Sequence, residues 1–178
     1  MPADIDETPL PNEEPIALAL RLARTKAQAV AERLHDHENV IIVASDTVVA
    51  MDQMLLGKPE DTNDASRMLL LLRGEAHQVH SAVSVLDTGQ GKAETDVSTT
   101  TVWMRNYSDA EVAAYVASGD PMDKAGAYAI QHPTFDPAQT IDGCLSGVIG
   151  LPLGLLRDLL WQVGVVLPKD VVAVCEAQ

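Results

Sequence analysis

Apolar side chains recur every three or four residues over residues 15–34, and this spacing predicts an amphipathic helix. A nearly continuous apolar run rich in β-branched residues follows over residues 39–50. That run predicts a central strand covered on both faces. Apolar spacing predicts a second helix over residues 62–73, which Gly74 ends. The first half of the chain is therefore predicted to form helix, strand and helix.

The second half of the chain predicts a hairpin, two helices and one more strand. Residues 78–86 and 95–104 alternate between apolar and polar positions around a glycine-containing turn, as an antiparallel hairpin does. Ser108-Asp109-Ala110-Glu111 has the pattern of a capping box and predicts a third helix. All these elements together predict one mixed α/β domain over residues 1–178. The remaining predicted segments are a strand near residues 141–149, a helix over residues 152–163 and a short appendage over residues 165–178.

Length and charge limit the function classes. A chain of 178 residues with 47% hydrophobic residues can bury a substantial core. The net charge of −14 argues against nucleic acid or an anionic membrane surface as the main partner. The acidic start does not resemble a signal peptide, and no apolar run is long enough for a membrane span, so a cytoplasmic location is predicted. Cys144 and Cys175 form no CxxC pattern, which favours free thiols over a disulfide.

Asp46 interrupts the apolar run of the predicted central strand. A carboxylate in such a strand is costly unless it is paired, hydrogen-bonded or bound to a metal. One interpretation ends the strand at Ser45 and leaves Asp46 in solvent. The apolar residues Val48 and Val49 that follow favour a buried acid instead. Such an acid could bind a divalent cation or act as a general base toward water.

Residues 123–131 combine an acid, a lysine, small residues, an aromatic and an amide directly after a turn. Gly126 would let the backbone approach a polar ligand closely, and Lys124 could meet an anion. The alternative is an ordinary turn in which Lys124 pairs with Asp120 or Asp123. The residues alone leave both interpretations open.

Two further lysines lie near candidate site segments. Lys58 stands in a Gly-Lys-Pro turn, and Lys26 borders the buried stripe of the first helix. Taken singly, the first is typical of a solvated charge and the second of a snorkelling side chain. With Lys124, however, they are three of only 12 basic residues in the chain. An acid with several lysines around it favours phosphate ester chemistry.

Seven short motifs follow one another along the chain: Ile5-Asp6-Glu7-Thr8, residues 21–27, Ser45-Asp46-Thr47-Val48-Val49, Gly57-Lys58-Pro59, residues 72–79, residues 123–131 and residues 148–153. In order and in spacing they resemble successive motifs of the Maf family of nucleoside triphosphate pyrophosphatases. The resemblance covers roughly residues 4 to 164.

This resemblance implies an α/β fold shared with the inosine triphosphate pyrophosphatases, in which helices flank a mixed sheet and two lobes surround a cleft. It also implies metal-dependent hydrolysis of a nucleoside triphosphate to the monophosphate and pyrophosphate. Family members are proposed to sanitise nucleotide pools, and some are linked to inhibition of septum formation.

The resemblance also implies roles for single residues. Asp46 corresponds to the family's proton acceptor. Glu7 and Asp46 would lie near a divalent metal, Mg²⁺ or Mn²⁺, as oxygen ligands suggest. Lys26 and Lys58 would meet the phosphates, and Lys124 would add to them.

Thr47 and Gln131 fall where the family distinguishes nucleotide bases. Their identities resemble the branch that acts on dTTP and UTP, whereas the branch that prefers methylated GTP carries other residues at both places. The resemblance therefore predicts hydrogen bonds from these two side chains to a pyrimidine.

The family normally begins with a strand and a Ser-x-Ser-Pro-Arg-Arg loop, and this chain starts at Met1 without them. Loss of the strand would leave a sheet edge open beside residues 40–49, and loss of the loop would remove fork-shaped phosphate donors. Either the start is misassigned or truncated, or the protein is a crippled member. Because the other motifs are intact, we expect a start farther upstream.

These observations predict a pyrophosphatase that hydrolyses dTTP and UTP, with a nucleoside triphosphate as partner and no nucleic acid or membrane. One rival is a catalytically impaired nucleotide-binding or regulatory protein linked to cell division. Another keeps the enzyme but changes the base, for instance to CTP or a modified nucleotide. An exposed edge strand would favour a homodimer.

Overall fold

The apolar patterns form helices and strands close to the predicted bounds. The structure, a computed structural model, describes residues 1–34 and 39–168. None of the helices in these ranges is both long and apolar enough to cross a membrane. In chain order the elements are α1 (Pro15–Arg33), β1 (Ile41–Met51), β2 (Met54–Leu55), α2 (Thr62–Leu72), β3 (Ala76–Asp87), β4 (Lys92–Met104), α3 (Asp109–Ala117), β5 (Ala138–Asp142), α4 (Leu145–Ile149) and α5 (Leu153–Gln162).

The five strands form one sheet in the order β2-β1-β3-β4-β5. Neighbouring strands in the described residues pair antiparallel, so the sheet is antiparallel where a mixed sheet was expected, and the α/β class is confirmed. Strand β1 continues through Asp46, which pairs with Ala82, and through Thr47, which pairs with Ser81. The interpretation that ends this strand at Ser45 is therefore wrong.

One long side of β1 has little strand pairing in the described part of the chain. On one side β1 pairs with β3 from Ile41 to Ala50. On the other side it pairs with the two-residue β2 at Ala50 and Met51. The remaining backbone of β1 therefore forms a sheet edge, and this edge carries Asp46 and Thr47.

Different cores pack on the two faces of β1. Val48 joins a cluster with Leu18 and Leu22 of α1, whereas Val49 joins a larger cluster with residues of α2 and α3. Successive side chains of a strand point to opposite faces, which explains the division. Asp46 and Thr47 consequently lie where the two cores meet, on opposite faces of the same strand.

Helix ends follow the expected chemistry. The Asp61 side chain caps α2 by accepting hydrogen bonds from the backbone of Asn63 and Asp64. Ser108 and Glu111 form the predicted capping box at the start of α3. Such caps satisfy backbone N–H groups that have no partner inside the helix.

The predicted strand over residues 141–149 is only partly correct. Strand β5 ends at Asp142, and the following residues turn into the short helix α4. Gly143 makes this turn with φ +129°, close against Thr100, and Cys144 then caps α4 by accepting a hydrogen bond from the Gly147 N–H. The sequence pattern did not indicate that Gly143 adopts a positive φ, and this conformation ends the strand.

Part of the predicted C-terminal appendage, with Cys175, lies outside the described residues, so the prediction of free thiols is not tested for that cysteine. Cys144 is a free, half-buried thiol.

Candidate active site

A buried acid lies at the centre of the site. Asp46 is 8% exposed and faces α1 from the middle of β1. Lys26 of α1 donates a hydrogen bond from Nζ to Asp46 Oδ1 at 2.6 Å. Lys26 can reach this carboxylate because the neighbouring Ala23 and Ala27 are buried and small, which lets α1 pack closely on the sheet. Lys26, for which the resemblance implies a contact with phosphate, is thus bonded to the buried Asp46 in this structure.

A second acid joins the same lysine. Glu7 Oε1 lies 2.7 Å from Lys26 Nζ, while about half of the Glu7 side chain is exposed. Arg21 holds the segment that carries Glu7, because its Nη2 donates to the carbonyl of Thr8 at 3.1 Å and its guanidinium pairs with Glu13. The structure thus brings Glu7, Lys26 and Asp46 together.

Burial and charge act in opposite directions on this cluster. Burial raises the pKa of Asp46 above its ordinary value, although the hydrogen bond from Lys26 opposes the shift. Burial alone would lower the pKa of Lys26, but hydrogen bonds to Asp46 and Glu7 raise it overall. Lys26 therefore stays a cation, and Asp46 becomes a stronger base than a solvent-exposed aspartate.

Thr47 faces the opposite side of β1 and is held by a short hydrogen-bond chain. Its Oγ1 lies 2.9 Å from Ser81 Oγ on β3. Ser81 in turn donates from Oγ to the Gly147 carbonyl of α4 at 2.6 Å. The pairing of β1 with β3 places Thr47 and Ser81 side by side. The two hydrogen bonds then link α4 to Thr47 through Ser81.

Two adjoining cavities meet at the edge of β1. One, of about 250 Å³, is lined by Thr47, Lys58, Lys124, Gln131 and other residues. The second, of about 280 Å³, is lined by Glu7, Asp46 and Lys58 among others. Lining residues common to both are Thr47, Val49, Lys58 and Ala125. The two cavities therefore form one continuous cleft with Asp46 and Glu7 in one half and Gln131 in the other.

The segment over residues 123–131 forms one wall of this cleft through two short 3₁₀ turns. Gly126 has φ +71°, and a Cβ there would lie 3.1 Å from Val49 Cγ1. Its N–H donates to the carbonyls of Leu56 and Gly57, each at 3.0 Å. The backbone at Gly126 therefore approaches the loop that carries Lys58, and the approach to a ligand stays a prediction.

Lys124 makes the ion pairs of the surface-turn interpretation and also borders the cleft. Its Nζ bonds Asp120 Oδ1 at 3.2 Å and Asp123 Oδ1 at 2.7 Å, as in the alternative of a surface turn. It also lines the cavity that contains Thr47 and Gln131. A phosphate would have to compete with two carboxylates for this ammonium, whereas exposed Lys58 lines both cavities.

Sequence reasoning missed residues that line or support the cleft. Tyr128 lines the cavity that holds Gln131, and its hydroxyl lies 2.8 Å from Nε2 of buried His77. Burial lowers the pKa of His77 to about 4, so this imidazole is neutral at pH 7. Ser81 was missed as well, although a buried serine in an apolar strand indicates a polar partner.

The carboxylates of the cleft are the candidate ligands for a divalent cation. Across residues 1–34 and 39–168, no group of three or more His, Cys, Asp or Glu side chains is placed to hold a metal ion. Glu7 and Asp46 nevertheless direct carboxylate oxygens at one point, the Lys26 ammonium. Two carboxylates suit Mg²⁺ or Mn²⁺, since Mg²⁺ in proteins commonly takes one or two carboxylates together with waters and substrate phosphates.

The chain belongs to the Maf-like protein family, which matches residues 1–163. A dTTP/UTP pyrophosphatase of Nitrosomonas europaea is 46% identical over 166 residues, which cover 92% of this chain and 79% of that protein. A dTTP/UTP pyrophosphatase of Syntrophomonas wolfei is 42% identical over 164 residues, covering 92% and 85%. One of Clostridium botulinum strain Kyoto is 39% identical over 164 residues, covering 92% and 84%. The resemblance seen in the sequence motifs is thereby confirmed.

Proposed function

We propose that this protein hydrolyses dTTP and UTP to the monophosphate and pyrophosphate. The observation that carries the proposal is the buried Asp46, ion-paired with Lys26 and open to a cleft whose adjoining half contains Thr47 and Gln131. The relatives named dTTP/UTP pyrophosphatase support the choice of substrate.

Asp46 is the proposed general base. Its raised pKa lets the carboxylate accept a proton from water more readily than an ordinary aspartate does. The water oxygen bonds to the α-phosphorus, the bond from the α-phosphorus to the bridging oxygen breaks, and pyrophosphate leaves. Lys26 holds the carboxylate in place through the 2.6 Å hydrogen bond.

Cations in the cleft are proposed to offset the charge on the phosphates. Lys58 lines both cavities, so its ammonium can contact the triphosphate in either half of the cleft. Lys124 lines the cavity that contains Gln131. Glu7 and Asp46 would hold a divalent cation, Mg²⁺ or Mn²⁺, which when bound supplies further stabilisation of charge on the phosphoryl oxygens.

The partners proposed for this protein follow from the same site. The net charge of −14 disfavours a large polyanion such as nucleic acid. The lysines of the cleft form a local positive region that can still bind a free nucleotide. A nucleotide-pool substrate supports a cytoplasmic location. A homodimer is a further proposal.

The test is the Asp46→Asn variant. We expect kcat for dTTP to fall about 10²–10⁴-fold, the usual contribution of a positioned general base. The measurement is pyrophosphate release from dTTP and UTP, with calorimetric titration of dTTP alongside it.

The matched control is Asp96→Asn, which makes the same change at an exposed position of β4. This variant should keep wild-type turnover. Normal turnover by Asp46→Asn would overturn the proposed mechanism. Tight binding of dTTP by the wild-type protein without any turnover would favour the rival, a nucleotide-binding regulatory protein.

A further inference from the structure

The hydroxyl groups of Thr47 and Ser81 have a defined hydrogen-bond direction. Each hydroxyl carries one proton. Ser81 lies 2.6 Å from the Gly147 carbonyl, which can only accept, so the Ser81 proton is used there. In the 2.9 Å contact between the two hydroxyls, Ser81 must then accept and Thr47 must donate.

This direction leaves Thr47 with acceptor capacity alone on the cleft side. Its single proton points to Ser81, and the remaining lone pair of Oγ1 can receive a hydrogen bond from a ligand. Ser81 is fully buried, and the Gly147 carbonyl is fixed further by the N–H of Gly150 at 2.9 Å. The arrangement is therefore protected from water and from rotation of the Ser81 hydroxyl.

Pyrimidines differ at the atom that such an acceptor can read. N3 of thymine and uracil carries a hydrogen and donates, whereas N3 of cytosine has a lone pair and accepts. The amide of Gln131 has both a donor and an acceptor, so by turning over it can meet either pattern. Discrimination then needs a group with a fixed direction, and Thr47 is that group in the cavity it shares with Gln131.

We propose that Ser81, through the Gly147 carbonyl, is a positioning residue that makes Thr47 an obligatory acceptor and so selects thymine and uracil over cytosine. This inference rests on the proposed function for its substrate class. Ser81 acts without touching the nucleotide, because its hydroxyl is enclosed between β1 and α4.

Replacing Ser81 with alanine frees the Thr47 proton. The Thr47 hydroxyl can then rotate and donate to N3 of cytosine as readily as it accepts from N3–H of thymine. We expect the ratio of kcat/KM for dTTP to that for dCTP to fall about tenfold, the effect of one neutral hydrogen bond. The same fall should appear in the ratio of calorimetric affinities in an Asp46→Asn background.

Three variants separate this role from general packing. Ser84→Ala removes another buried serine of β3, one that bonds Thr95, and should leave the ratio unchanged. In a Thr47→Val background, Ser81→Ala should produce no further change, since both act through one hydroxyl. If Ser81→Ala does not fold, Ser81→Cys, a weaker donor, should shift the ratio in the same direction.

The outcomes distinguish the two proposals. Turnover of dTTP with a ratio that Ser81→Ala leaves intact would overturn the role of Ser81 and keep the proposed function. Binding without turnover, with a Ser81-dependent preference for dTTP over dCTP, would keep the role and overturn the function. A wild-type protein that turns over dTTP and dCTP equally well would overturn the role of Ser81 and keep the proposed function.

Discussion

At the scale of single residues, the cleft depends on how Lys26 holds a buried carboxylate. The lysine contributes the cation that opposes the rise in the pKa of Asp46 caused by burial, and Glu7 pairs with the same ammonium. Removing one partner of such a pair lowers the free energy of unfolding strongly, because the other charge is left buried without a counter-charge. Substitution of Lys26 therefore tests both chemistry and stability.

Lys26→Met should raise the pKa of Asp46 further, because burial then acts without its main opposing contact. A general base must be ionised, so the acid limb of the pH–rate profile should move to higher pH. Measuring kcat/KM for dTTP from about pH 5 to pH 9 checks the shift. An acid limb in its wild-type position would contradict the assignment of Asp46 as base.

The same variant should lose about 2 kcal/mol of unfolding free energy at neutral pH. A folded-state pKa of Asp46 above its unfolded value means that the folded state binds this proton more tightly. The loss should therefore be smallest below the unfolded pKa and grow as pH rises through the folded pKa. Urea unfolding at about pH 4 and pH 7 measures the difference.

Lys92→Met provides the comparison for this stability measurement. Lys92 is an exposed lysine whose Nζ donates a hydrogen bond to the Gln162 carbonyl and lies 3.8 Å from Glu94, and loss of these surface contacts should cost at most about 1 kcal/mol at either pH. Equal losses of unfolding free energy in the two variants would show that the buried Lys26 pair contributes no more to stability than an exposed pair.

At the scale of elements, the turn between β5 and α4 decides where the Gly147 carbonyl lies. Gly143 has φ +129°, and a Cβ there would lie 2.8 Å from Thr100 Oγ1 and 3.0 Å from the Thr100 Cα. Gly143→Ala should lose about 2–3 kcal/mol of unfolding free energy because strain and overlap add. Thermal unfolding followed by circular dichroism measures the loss.

Gly91→Ala separates these two causes. Gly91 has φ +64° with nothing within 4 Å of its would-be Cβ, so alanine there adds strain without overlap and should cost about 1 kcal/mol. A Gly143→Ala variant no less stable than Gly91→Ala would mean that the Thr100 contact is unimportant.

The site could be predicted from the sequence where it depends on local patterns. A carboxylate within the apolar run of β1 indicated a buried acid, and the alanine stripe of α1 placed Lys26 beside the core. The link from Ser81 to Gly147 spans 66 residues and depends on α4, a helix hidden in an apolar run that predicted a strand. Such contacts follow from tertiary packing, which periodicity does not encode.

At the scale of the whole molecule, 26 acidic residues against 12 basic ones oppose compaction by mutual repulsion. We expect Tm to rise by a few degrees between about 10 mM and 150 mM NaCl at pH 7, because salt screens this repulsion. Differential scanning calorimetry at the two concentrations checks the rise. A Tm that falls with salt would show that attractive ion pairs outweigh the repulsion.

The alternation of side chains along β1 also limits how such a protein can diverge. Asp46 and Thr47 are adjacent in β1 and face opposite sides of the strand. The strand backbone therefore fixes the distance between the proposed base and the residue proposed to bind the pyrimidine. An insertion or a slip of one residue in this strand would exchange their faces and abolish both roles together. New nucleotide preferences are therefore expected to arise by substitution at and around Thr47, with the length of the strand conserved.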